Sequence, residues 1–362
     1  MFNLLEKIEH DVLAYFDSAK HLPSATNDHL IGSGAIAELE WKIADLYAAK
    51  HVVCTSSGSS SLLAIALAMG LKDSQFITSP LTYGASIASW LILGNQPVFV
   101  DVDPQTLTLD PSKVSESITP DIRAILAVDI FGNPCDSGAL RQVADEFGIA
   151  YVGDNCQALG ATRGNRAASY AADAIAISFT VGKSITCGEG GAIITNDSAL
   201  YERVMWWSQH PLRQKRDIGL HKFNEFAFNA RIHPLGAVWA NAVFEESLDE
   251  LRRNQARYQK AISILNESGL IEPINFDAAD IRPSFFQLTV ALTEGASVPE
   301  ILEYLTVSGL NASASRMCLG VVYKNHAFLQ HYADRYQLPL TCHVAERAAE
   351  KRIVLTVTEK DG

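Results

Sequence analysis

The sequence predicts an α/β fold: a mostly parallel sheet sandwiched by helices, followed by a small C-terminal α+β domain. Three observations carry this. Apolar runs of strand length alternate with longer helical patterns from about residue 50 to residue 200. The strand runs are almost continuously apolar, as expected when helices cover both faces of a sheet. Repeated strand–helix units imply parallel pairing, because the helix is the crossover that returns the chain to the same end.

The elements follow in order. MFNLLEKIEHDVLAYF has apolar residues at helical spacing among acids, without the basic start and unbroken apolar stretch of a signal peptide. Ser61 to Gly70 reads as a buried helix and Gln75 to Ser79 as a strand stopped by Pro80. Ala85 to Leu93 is helical and Gly94 ends it. Pro97 to Val102 is a strand, and Asp110 to Ser117 begins a helix with Asp and Pro. Ala124 to Ile130 and Ala150 to Gly153 are strands flanking a helix from Ser137 to Phe147. Ala174 to Phe179 and Gly191 to Thr195 are two more strands. A long helical pattern runs from Leu235 to about Leu265. Strand Phe285 to Leu292, helix Pro299 to Ser308 and strand Arg352 to Val357 complete the small domain. The expected division is 1–245 for the large domain with its N-terminal helical arm, and 246–362 for the small one.

Composition narrows the function classes. Of 362 residues, 48% are hydrophobic and 19% charged, enough for a core and contrary to a disordered chain. The formal charge of −12 disfavours a nucleic-acid binder, which normally carries a basic face. Six cysteines without a C-x-x-C pair read as reduced thiols of a cytoplasmic protein. No apolar run reaches membrane-spanning length. His210, His221 and His233 lack metal-ligand spacing, so no metal site is expected. Trp206 and Trp207 read as packing residues, and Arg213, Lys215 and Arg216 as a solvated basic loop in preference to a site for a substrate diphosphate or donor carboxylate.

Ligands of such folds sit at the carboxyl ends of the strands, and three features stand there. Thr55 to Ser60 is a run of small residues leading into a helix, a place for an anion at a helix N-terminus. Asp154 follows the apolar strand AYVG and needs a partner if buried. Lys183 follows a stretch without other charges and precedes three glycines; a partly desolvated lysine there keeps a nucleophilic amine suited to imine formation. Gly182-Lys183-Ser184 is not a P-loop, since Ile177 stands where that motif needs its first Gly. Anion cradle, carboxylate and imine-forming lysine together fit pyridoxal phosphate (PLP), whose ring nitrogen a carboxylate keeps protonated.

The ordered motifs SSGSSSLLAIALAMGL, PLTYGASIASWLILGNQPVFVDVDPQTLTLDP, GDNCQALGA, SFTVGKSITCGEGGAIITND and FNARIHPLGAVWANA resemble the DegT/DnrJ/StrS-type sugar aminotransferases. The resemblance implies the seven-stranded sheet of PLP fold type I. It implies that Lys183 forms the aldimine and then shuttles a proton, and that the cycle passes through pyridoxamine phosphate. It implies that Asp154 pairs with the ring nitrogen, that Gln157 contacts the phenolic oxygen side, and that Gly58, Ser59 and Ser178 hold the phosphate. Tyr83 would lie over the ring, and Asn229 would reach the phosphate of a neighbouring subunit in a homodimer with a shared active site. The implied activity moves an amino group from an amino acid, glutamate or glutamine, to a keto group of a sugar or sugar-like ring, nucleotide-linked or free. Asn155 and Cys156 depart from the small residues usual there. CLGVVYKNHAFLQHY does not match the family's sugar-contact segment, with Tyr323 and His326 out of register, and Gly362 falls where the family's last helix begins. A dehydratase of the same family, which replaces the lysine with His, and a non-catalytic PLP-binding regulator are the alternatives.

Overall fold

The computed structural model describes residues 2–21, 30–222, 224–277, 280–332 and 341–359. Strands are numbered in chain order. β1 (His51–Thr55), β2 (Gln75–Thr78), β3 (Gln96–Phe99), β4 (Ile122–Val128) and β5 (Ala150–Asp154) come first. β6 (Thr162–Arg163), β7 (Arg166–Ala167), β8 (Ala174–Ser178), β9 (Gly191–Thr195) and β10 (Ile281–Arg282) follow, then β11 (Leu288–Ala291), β12 (Leu310–Arg316) and β13 (Arg352–Glu359).

The central sheet has seven strands in the order β1-β9-β8-β5-β4-β2-β3. From β8 to β3 all pairings are parallel, and β9 runs antiparallel to both neighbours. Successive strand residues point to opposite faces, and the core divides accordingly. Val53, Ala174, Ala176 and Ile193 belong to one apolar cluster, with Leu62, Ile65 and Trp90 from the helices Gly58–Ala68 and Gly84–Ile92. Val52, Cys54, Ile175, Ile177 and Ile194 belong to the cluster on the other face, with Leu39 and Ile43 of the helix Ala35–Tyr47. Both faces are therefore dry, which is why the strands read as continuous apolar runs.

Capping places the helices. Asp110 Oδ1 accepts from Ser112 N at 3.0 Å with Pro111 in the first turn, and Asp136 Oδ1 accepts from Ala139 N at 3.1 Å. The helix Pro234–Ser268 has 35 residues, a length of about 50 Å. Its first half buries Ala237, Ala240 and Val243 against the central sheet. Its end buries Ala261, Ile262 and Leu265 in a separate core with the antiparallel sheet β11-β13-β12 and the helix Val298–Val307. Chain from Met317 to Phe328 and the helix His343–Lys351 return to pack on the central-sheet cluster that holds Trp90 and Phe99.

Three strand bounds need correction, and the first is β3, which ends at Phe99 rather than Val102. The strand expected from Phe285 begins only at Leu288, because Phe285 has a left-handed φ of 53° that no strand accommodates. β4 ends at Val128 rather than Ile130, since Ile130–Gly132 turns as a short 3₁₀ segment. Strand β12 was not anticipated: LNASASR carries small polar residues and, among the described residues, pairs only with β13 at the sheet edge. Among the described residues no helix is long and apolar enough to cross a membrane. All six cysteines are free thiols.

Candidate active site

The register of the sheet gathers strand ends on one edge. Thr55 and Ser178 both pair with Gly191, Asp154 pairs with Ala176, and Val128 pairs with Asp154. The ends of β1, β4, β5 and β8 thus open on the same side, where ligands bind in such sheets.

The helix Gly58–Ala68 starts there. Ser57 Oγ accepts from Ser60 N at 3.1 Å, and Ser61 Oγ meets Thr55 Oγ1 at 2.7 Å. This cap satisfies one of the orphan donors of the first turn and leaves the N–H groups of Gly58 and Ser59 without an intrahelical acceptor. The turn lies hard against the sheet. A Cβ on Gly58 would sit 2.9 Å from Cys156 Sγ and 3.1 Å from Ser178 Cβ, and one on Gly191 would sit 2.6 Å from the Ser57 carbonyl carbon. Gly191→Ala is expected to lower stability by about 1–3 kcal/mol through overpacking against backbone; a lower urea midpoint with unchanged slope is the readout. Asn229 lies exposed beside this turn, since Ser56 N donates to Ala230 O at 2.7 Å and Thr55 bridges to Arg231.

Asp154 is buried at the end of β5. Its Oδ1 accepts from Cys156 N at 3.0 Å, and the Cys156 thiol lies against the same carboxylate. Beneath it runs a buried polar chain that sequence reasoning missed. Tyr47 Oη donates to Asn155 Oδ1 at 2.5 Å, and Asn155 Nδ2 donates to Asp129 Oδ2 at 2.9 Å. Asp129 also accepts from Ser169 Oγ at 2.6 Å and from Cys135 N at 2.7 Å, and its own N–H donates to Asp154 O at 3.0 Å. Burial pushes the Asp129 carboxyl up, against these donors, which pull it down. Asp129 was findable: it stands at the carboxyl end of β4 as Asp154 does on β5. The departure at Asn155 is its partner.

Gln157 Oε1 accepts from Phe131 N at 2.7 Å, which leaves the Gln157 amide N–H₂ as a donor. Phe131 has φ 59° and Gly132 φ 89°. A left-handed Phe costs of order 1 kcal/mol or more and is held only when its surroundings over-determine it. They do: Ser284 N donates to Gly132 O at 3.0 Å, Gln287 N to Phe131 O at 3.1 Å, and Ser284 Oγ to Gln157 O at 2.9 Å. A Cβ on Gly132 would lie 2.4 Å from Ser284 Oγ, so only glycine permits this approach. The docked segment carries Phe286 to Lys183, whose Nζ lies 4.5 Å from the ring centroid. Lys183 and Phe286 line a cavity of about 450 Å³ with Glu246, Glu250 and Asn254. On its other side Lys183 is close enough to Cys156 for its charge to be felt there, while burial pushes the Cys156 thiol up.

The structure thus brings Gly58, Ser178, Asp154 and Lys183 together around Cys156, with Gln157 adjoining. Tyr83 lies apart from the Lys183 cavity: it precedes the helix Gly84–Ile92, is 65% exposed, and lines a second cavity of about 650 Å³ with Ile87, Val321 and Phe328. Tyr323, out of register in the sequence, is buried; its hydroxyl donates to Glu346 at 2.6 Å and accepts from Cys342 N at 3.0 Å. The solvated reading of Arg213 is wrong. It is 2% exposed and pairs with Glu40 Oε2 at 2.7 Å and Asp217 Oδ2 at 3.1 Å. His210 and His233 each precede a Pro and cap a helix, Nδ1 accepting from the N–H two residues on at 3.2 Å. Among the described residues no cluster of His, Cys, Asp and Glu could hold a metal ion.

Comparison with known proteins bears on this edge. The profile of the DegT/DnrJ/EryC1/StrS aminotransferase family matches residues 16–360. UDP-2-acetamido-2-deoxy-3-oxo-D-glucuronate aminotransferase of Pseudomonas aeruginosa is 33% identical over 177 residues, 48% of this chain and 49% of that protein, so the chain covers about half the length of that relative. GDP-perosamine synthase of Caulobacter vibrioides is 30% identical over 283 residues, 76% of this chain and 75% of that one. The structure of NtdA from Bacillus subtilis with bound cofactor PMP superimposes with a TM-score of 0.77 at 23% identity, covering 99% of this chain and 78% of that one. The overall fold is the one such aminotransferases share, fold type I. The chain belongs to the DegT/DnrJ/EryC1/StrS aminotransferase family.

Proposed function

We propose that the protein is a PLP-dependent aminotransferase that moves an amino group from an amino acid, glutamate or glutamine, to a keto group on a sugar or sugar-like ring. One observation carries the reading: a helix N-terminus, a buried carboxylate and a lysine converge on one sheet edge around Cys156. The residues fit the cofactor. The Gly58 and Ser59 N–H groups and the Ser178 hydroxyl suit a phosphate, at a turn held so close to Ser178 that a Cβ on Gly58 would lie 3.1 Å from its Cβ. When bound, PLP supplies the electron sink that makes the Cα–H of an amino acid acidic.

The chain's own residues do the rest. Asp154 Oδ2 would hold a proton on the ring nitrogen. The Gln157 amide would donate to the phenolic oxygen, its orientation fixed by Phe131 N. Lys183 would form the covalent link and, when free, carry the proton across the substrate face. Tyr83, which lines the second cavity and not the Lys183 one, is the aromatic that the family resemblance assigns to the ring face. We assign exposed Asn229 to the phosphate of a second copy, in a homodimer, and place the division between large and small domains at 245/246, inside the helix Pro234–Ser268 that serves both cores. The relatives named for oxo-sugar and perosamine chemistry, and the neighbour that holds PMP, support this class of acceptor and this cofactor. The test is to mix the purified yellow protein with glutamate and follow the cofactor's visible absorbance. The wild type is expected to bleach, and Asp154→Asn to bleach about 10²-fold more slowly. Absence of bleaching with either donor contradicts the reading.

A further inference from the structure

The Lys183 ammonium has an unusual neighbour. Its Nζ stands 4.5 Å from the Phe286 ring centroid and makes no hydrogen bond or ion pair among the described residues. Acidic groups face it from two elements. Glu246 and Glu250 line the same cavity from the helix Pro234–Ser268, Glu250 being paired with Arg253 at 2.8 Å. From just past the end of β5, the Cys156 thiol, pushed up by burial, is near enough to feel the Lys183 charge, and Asp154 lies beside Cys156. None of these is its contact partner; the ring is.

The ring's position is built. Ser284 and Gln287 on either side of it are hydrogen-bonded to the Phe131–Gly132 turn, Ser284 Oγ is bonded to Gln157 O, and both Phe131 and Phe285 are held at left-handed φ. Strained backbone fixed at several points marks a segment whose placement matters. A ring face attracts a cation without accepting its proton, and it excludes water. A carboxylate in that place would instead lock the ammonium in an ion pair.

We infer that Phe286 is a positioning residue for Lys183, its ring face receiving the ammonium whenever the lysine is protonated and unattached. The inference rests on the proposed role of Lys183 as the imine-forming lysine: such a residue is alternately bound and free, and needs a resting place that holds it without competing for its proton.

The experiment uses the full chain stripped of cofactor. Lysines are acetylated with acetic anhydride at one mildly alkaline pH, and Lys183 labelling is read by peptide mass spectrometry against exposed Lys72. Phe286→Leu and Phe286→Met are expected to label Lys183 about threefold faster than wild type, and Phe286→Tyr at the wild-type rate. Met keeps the bulk of Phe without its π face, so a Met variant that labels like wild type would show a mere steric shield and overturn the inference. A Leu variant at the wild-type rate, or a Tyr variant as fast as Leu, overturns it too. Melting temperatures are measured alongside; should Leu fail to fold, the Met and Tyr pair carries the test. If borohydride fixes no cofactor on Lys183 while the labelling order holds, the proposed function fails and the contact stands.

Discussion

Lys183→Ala is expected to lose transamination by about 10³-fold or more while keeping its fold. The loss follows because alanine can neither form the covalent link nor move the proton, two contributions that each carry orders of magnitude. The stability cost is small, about 1 kcal/mol, because Lys183 is half-buried and its side chain loses the Phe286 ring contact but no hydrogen bond or ion pair among the described residues. Turnover with glutamate and a keto-sugar acceptor, measured beside the urea midpoint, separates the two effects. A variant that turns over at the wild-type rate contradicts the assignment.

Arg213→Ala is expected to do the reverse, unfolding the protein far more than any change at the reacting centre. Arg213 ties the helix Pro211–Ile218 to Glu40 on the helix Ala35–Tyr47, and Glu40 Oε1 in turn accepts from Cys54 N at 2.8 Å on β1. The backbone at Gly32 rests on the guanidinium, since a Cβ there would lie 2.6 Å from it. Removing the arginine leaves a buried carboxylate unpaired, at a cost of about 3–5 kcal/mol. Burial already pushes the Glu40 carboxyl up from 4.5, with Arg213 pulling against it. A group raised on folding contributes stability below its unfolded pKa and loses it as pH rises through the folded one. Without Arg213 the carboxyl rises further, so the variant's deficit should shrink as pH is lowered from neutral toward the carboxylate range. Urea denaturation at several pH values checks this. A deficit below about 1 kcal/mol, or one that grows on acidification, contradicts it.

Legibility in the sequence followed the range of the interactions. The helix Ser137–Phe147 is found to the residue because its signals are local: Asp136 caps it and Gly148 ends it at φ 64°. β8 and β9 are found because dry faces on both sides make continuous apolar runs. Asp154 and Lys183 could be picked out because charge is scarce at those strand ends. Three things stayed hidden. β12 lacks the apolar signal of a strand, since of its residues only Leu310 is buried. The Phe131–Phe286 clasp depends on left-handed phenylalanines and on hydrogen bonds across about 150 residues of chain, which no local pattern encodes. Arg213 sits in a basic run that looks solvated, yet its partner Glu40 lies 173 residues away. Asp129 is hidden for a different reason: the apolar run continues past it to Ile130, so it reads as part of the strand rather than its end, whereas β4 stops at Val128.

The central claim is that Lys183 is the covalent anchor of the cofactor. Borohydride reduction of the purified protein, followed by peptide mapping, tests it most directly. The claim predicts permanent attachment of the phosphopyridoxyl group to the peptide containing Lys183, and none in Lys183→Ala. Attachment to another lysine, or equal attachment in the variant, would contradict it.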